Sequence, residues 1–111
     1  MNRLSEAAKR RYPRKAFRKK LSFMFGGKAN MAFGVEIGEG GMSIKTNETL
    51  AVDQKLILNF FLSEKDFFSI RATLRNVASL ANTTETIYGV SFDDVPIALR
   101  RQIRTYVART I

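Results

Sequence analysis

Phe68-Ser69-Ile70-Arg71-Ala72-Thr73-Leu74-Arg75-Asn76-Val77 alternates apolar and polar residues over ten positions. Successive side chains of a β-strand point to opposite faces, so this stretch predicts a strand with one face on a core and the other in water. Working outward, residues 56–62 form an apolar run with its charges outside, and Thr86-Ile87-Tyr88-Gly89-Val90-Ser91-Phe92 is rich in β-branched and aromatic residues. Toward the N-terminus, Leu21-Ser22-Phe23-Met24-Phe25 runs into Gly26-Gly27-Lys28, which reads as a hairpin turn. Residues 31–37 make a further run, then Gly38-Glu39-Gly40-Gly41, then the alternating Met42-Ser43-Ile44-Lys45-Thr46. Six strands joined by glycine and polar turns predict an all-β fold with a six-stranded antiparallel barrel, since closure hides the strand edges. Eight phenylalanines, Phe23, Phe25, Phe33, Phe60, Phe61, Phe67, Phe68 and Phe92, fall in these patterns and are expected in the core.

The end of the chain changes period. Asp94 is placed to cap, Pro96 suits a first turn, and Leu99, Ile103, Tyr106 and Thr110 recur at helical spacing with Arg100, Arg101, Arg104 and Arg109 between them. A C-terminal amphipathic helix over residues 94–110 is expected, lying on the barrel.

A chain of 111 residues, 45% hydrophobic, is the size of one domain with one core. It contains no apolar stretch long enough for a membrane helix and no signal-peptide pattern, so a cytoplasmic location without membrane insertion is expected. There is no cysteine and no histidine. Without them the common metal sites, Ser-His-Asp triads and thiol nucleophiles are unavailable, and neither catalytic residues nor a bound metal or cofactor is expected.

The net charge of +9 is localised: residues 1–20 carry nine Lys/Arg against Glu6, a net +8, leaving +1 for residues 21–111. The segment Lys9-Arg10-Arg11-Tyr12-Pro13-Arg14-Lys15-Ala16-Phe17-Arg18 therefore presents a concentrated positive potential to an anionic partner. Pro13 pushes Tyr12 toward extended geometry, and in an extended chain Arg10 and Arg14 share a face about 13 Å apart, at roughly 3.3 Å per residue. Arginine suits such a grip because its planar fork donates two parallel hydrogen bonds to a phosphate or to a guanine edge. Taken alone the segment reads as a solvated basic tail.

The combination of these features resembles the PilZ domain, a bacterial receptor module for cyclic di-GMP. Arg10-Arg11-Tyr12-Pro13-Arg14 is similar to its RxxxR motif, and Glu36-Ile37-Gly38-Glu39-Gly40-Gly41 begins 22 residues after Arg14, where the family carries [D/N]xSxxG. The last strand and the terminal helix also match, so the resemblance covers residues 9–109. It implies a barrel of PilZ type at 21–93, a flexible N-terminus at 1–8, and an arginine-rich ligand segment at 9–20. It also implies cyclic di-GMP as ligand, with Arg10, Arg11, Arg14, Glu36, Gly38 and Gly41 as binding residues and Arg18 as a further candidate. Glu36 stands where Asp or Asn is usual and Gly38 where Ser is usual; on that pattern Gly38→Ser is expected to tighten binding. The implied function is a receptor or adaptor that changes its contacts with a protein partner on binding ligand. The alternative is a PilZ-like protein-interaction adaptor that has lost nucleotide binding. Nucleic acid is not the expected partner, although a basic segment alone would also suit it.

Overall fold

The computed structural model describes residues 13–79 and 84–109. Among these residues seven strands and one helix follow one another: β1 Arg14–Ala16, β2 Lys20–Phe25, β3 Lys28–Gly38, β4 Gly41–Thr46, β5 Lys55–Phe61, β6 Phe67–Ser79, β7 Thr86–Phe92 and α1 Ile97–Ala108. All pairings are antiparallel; the order β3-β2-β5-β6-β7-β4 returns to β3 through the β3–β4 ladder and closes a six-stranded barrel. The all-β fold with a C-terminal helix is as expected. β2 and β3 join at Gly26-Gly27, whose φ angles of 59° and 79° are the left-handed pair a two-residue hairpin needs.

The short strand β1 was not legible as a separate element. β3 is eleven residues long and pairs with β2 only through Phe33; its last residues are met by β1, with Arg14 opposite Gly38 and Ala16 opposite Glu36. β1 and β2 are thus one run of chain interrupted at 17–19. The ladder is maintained across the interruption by Phe17 N–H donating to the Val35 carbonyl at 3.0 Å and Gly34 N–H donating to the Lys19 carbonyl at 2.7 Å. Arg18, at φ 48°, takes up the irregularity, and Phe17 turns inward. Its ring lies over Gly34, where a Cβ would come within 2.3 Å of Phe17 Cδ2, and meets Phe60 edge-on at 5.5 Å between centroids.

The core follows strand alternation. Phe23, Ile37, Met42, Ile44, Leu58, Phe60, Phe68 and Leu74 are buried, and α1 adds Ile103 and Val107. Three of the eight phenylalanines depart from the expectation: Phe33, Phe61 and Phe67 are exposed. In a strand, neighbours face opposite ways, so burying Phe60 and Phe68 turns Phe61 and Phe67 outward, where they form an edge-to-face cross-strand pair at 5.1 Å.

The start of α1 also differs. Pro96 is the N-cap, without a side-chain cap bond, and Asp94 sits at φ 50° in the loop before it. Asp93 accepts a hydrogen bond from Thr73 Oγ1 at 2.7 Å and lies 3.9 Å from Lys55 Nζ. No helix among the described residues is long and apolar enough to cross a membrane.

Candidate functional site

Two cross-strand rows on the outer face of the barrel collect the candidate residues. One runs Ala16–Glu36–Ser43–Gly89–Asn76 across β1, β3, β4, β7 and β6. The second runs Arg14–Gly38–Gly41–Ser91–Thr73 across the same strands. Between them lies the inward row Ile37–Met42–Val90–Leu74, all buried, which fixes the outward sense of both. Bulges between Gly34 and Glu36 in β3, and between Leu74 and Asn76 in β6, set this register. Gly38 and Gly41 carry no side chain, and the Asn76 amide lies over Gly89, where a Cβ would come within 2.4 Å of its Oδ1. Arg75, in the β6 bulge, borders it: its Nε donates to Ser91 Oγ at 2.9 Å while its side chain stays exposed.

Arg14 stands over this patch. Its Nη1 donates to Ser43 Oγ at 3.5 Å and lies 3.9 Å from Glu36 Oε1, and its side chain keeps 34% exposure. Both contacts are long, so a guanidinium with five N–H donors is oriented here but far from saturated. Lys15, the next residue, points the other way. Its Nζ donates to the Tyr106 and Arg109 carbonyls at the end of α1 and sits over the Tyr106 ring, 4.3 Å from the centroid. Arg10 and Arg11 lie outside the described residues. Arg18 is described but leaves the patch, because its strand is interrupted there.

Sequence reasoning passed over Glu39. Only 7% exposed in the turn between β3 and β4, it receives a two-pronged bond from Arg104, Nε to Oε1 at 3.0 Å and Nη2 to Oε2 at 2.8 Å, and Arg100 Nη2 approaches Oε2 at 3.3 Å. The signal available was Arg100 and Arg104 four apart on one helix face. The Arg104 hydrogen bonds hold the Glu39 carboxyl below its usual value of 4.5, outweighing the burial that would raise it. A depressed folded-state pKa gives stability that is fully present above the unfolded value and is lost as pH falls through the folded one. Glu39→Gln is therefore expected to cost about 2 kcal/mol at pH 7, since bonds between charged groups are replaced by bonds to a neutral amide. Urea unfolding of both proteins from pH 7 down to pH 3 checks this, and the gap between them narrows as Glu39 protonates.

Gly38 is tightly enclosed. A Cβ there would come within 2.9 Å of the Pro13 carbonyl oxygen and 3.2 Å of Arg14 Cγ. Set against the expectation that Gly38→Ser tightens binding, this contact means that the added atom pushes on the backbone that carries Arg14. Weaker binding of a ligand held by Arg14, by several-fold, is the expected result of titrating that variant.

A cavity of about 830 Å³, lined in part by Met24, Ile57, Arg71, Phe92 and Asp94, lies elsewhere on the barrel. The candidate site is instead an open sheet face, rimmed by Arg14, Glu36, Ser43 and Arg75. Among the described residues no cluster of metal-ligating side chains occurs.

The sequence profile of the PilZ domain matches residues 8–109. The chain belongs to the PilZ domain family. No curated protein matches the sequence. Among solved structures, this PilZ domain is similar to the inhibitor of motility MotI/DgrA of Bacillus subtilis, with TM-score 0.75 and 14% identity, covering 90% of this chain and 50% of the other. It is similar to MrkH of K. pneumonia in complex with c-di-GMP, with TM-score 0.72, 19% identity and coverage of 89% and 51%. It is also similar to Escherichia coli YcgR in complex with c-di-GMP, with TM-score 0.72, 17% identity and coverage of 89% and 44%. The PilZ domain described here thus spans about half the length of these proteins.

Proposed function

We propose that this PilZ domain is a cytoplasmic bacterial receptor for cyclic di-GMP, acting by altered contact with a protein partner and not by catalysis. The observation that carries the reading is Arg14 standing over Glu36 within one outward patch, at the end of β3 where the glycine turn begins. An unsaturated guanidinium beside a carboxylate offers donors to phosphate or to guanine O6 and N7, and an acceptor to guanine N1–H and N2–H. Two of the similar structures, MrkH and YcgR, were solved with c-di-GMP, which supports this ligand.

Both halves of the site hold α1. Lys15 beside Arg14 bonds carbonyls at the helix end, while Glu39 in the turn grips Arg100 and Arg104. A ligand drawing β1 toward the turn therefore acts on two attachments of one helix, which makes α1 the route of output. Calorimetric titration tests the reading. Saturable, salt-tolerant binding of cyclic di-GMP is expected; a flat titration at high protein concentration overturns it, and salt-sensitive binding to any oligonucleotide points to nucleic acid instead.

A further inference from the structure

Ser43 occupies the position directly opposite Glu36 in the β3–β4 ladder, and both face outward. Directly opposed residues have Cβ atoms about 4.5–5.5 Å apart, so their polar ends can reach neighbouring atoms of one planar ligand edge. Gly89 follows Ser43 in the same row, and the Asn76 amide lies over it. Arg14 Nη1 donates to Ser43 Oγ. That bond uses a lone pair of the oxygen and leaves the hydroxyl hydrogen to donate outward.

The pair therefore presents a donor, Ser43, next to an acceptor-only carboxylate, Glu36. Guanine shows the complementary order on its Watson–Crick edge: O6 accepts, N1–H and N2–H donate. Adenine reverses it, with N6–H donating and N1 accepting, and would set donor against donor and acceptor against acceptor. Gly38 carries no hydroxyl, and a Cβ there would meet the Pro13 carbonyl oxygen at 2.9 Å. We propose that Ser43 is the specificity-determining donor of this site, reading guanine O6 beside Glu36 and supplying the hydroxyl that position 38 lacks.

The proposal rests on the cyclic di-GMP reading, and the experiment separates the two. Ser43→Ala, Ser43→Thr and the parent are titrated with cyclic di-GMP and with cyclic di-AMP, and each unliganded protein is melted to confirm an unchanged midpoint. Loss of one hydrogen bond to a ligand corresponds to about tenfold in affinity. Ser43→Ala is expected to bind cyclic di-GMP about tenfold more weakly with no loss toward cyclic di-AMP, and Ser43→Thr to stay within about threefold of the parent. Parental affinity in Ser43→Ala, or an equal loss for both ligands, overturns the role of Ser43 while leaving the receptor reading intact. A parent protein that fails to bind cyclic di-GMP overturns both.

Discussion

Replacing Arg14 with alanine is expected to weaken cyclic di-GMP binding at least a hundredfold while leaving the fold intact. Among the described residues Arg14 makes two long contacts, to Ser43 and Glu36, and its side chain is one-third exposed, so its removal costs little in the free protein. In the complex its fork is the described group best able to make paired, charge-assisted bonds to the ligand. Each such bond contributes about 1.5–3 kcal/mol, and two correspond to about a hundredfold or more. Arg109→Ala is the control: the Arg109 backbone carbonyl, not its side chain, accepts the Lys15 bond. Calorimetry on both variants, with thermal melts alongside, checks the expectation. Affinity within threefold of the parent in Arg14→Ala would move the ligand away from this patch.

Gly41→Ala is expected to be the most damaging single change to the fold. A Cβ at position 41 would lie 2.2 Å from the Val90 carbonyl oxygen, 3.1 Å from Ser91 Cα and 3.2 Å from the Val90 carbonyl carbon. All three are backbone atoms of β7, so no rotamer change relieves the overlap, and β4 must move away from β7 along one of the seams that close the barrel. A loss of about 3 kcal/mol or more is expected, a drop in melting midpoint of at least about 10 °C for a domain of this size. Gly27→Ala provides the comparison. Nothing lies within 4 Å of a Cβ there, and only the positive φ of 79° penalises it, by about 1–2 kcal/mol. Equal melting midpoints for the two variants would refute the steric account of Gly41. The close approach gives this glycine a structural reason to be where it is, independent of any ligand.

The motif spacing anticipated the association of Arg14 with Glu36, although the two lie 22 residues apart and only the β1–β3 and β3–β4 ladders bring them to one patch. It did not anticipate Ser43, which joins Glu36 through a bulge at β3 that no local pattern announces. Nor did it anticipate Glu39, whose partners Arg100 and Arg104 come from the opposite end of the chain.

The sequence by itself determined the strands, the barrel, the terminal helix and the concentration of charge near the N-terminus. Strand alternation, helical spacing, glycine turns and charge are properties of neighbouring residues, and they survive without knowledge of what lies across the sheet. Only the tertiary structure decided which side chains meet. Register, bulges, the three-residue β1 and the clearance around Gly38 and Gly41 depend on pairings between distant segments, and a shift of one residue in the β3–β4 ladder would part Glu36 from Ser43 and turn one of them from the patch to the core.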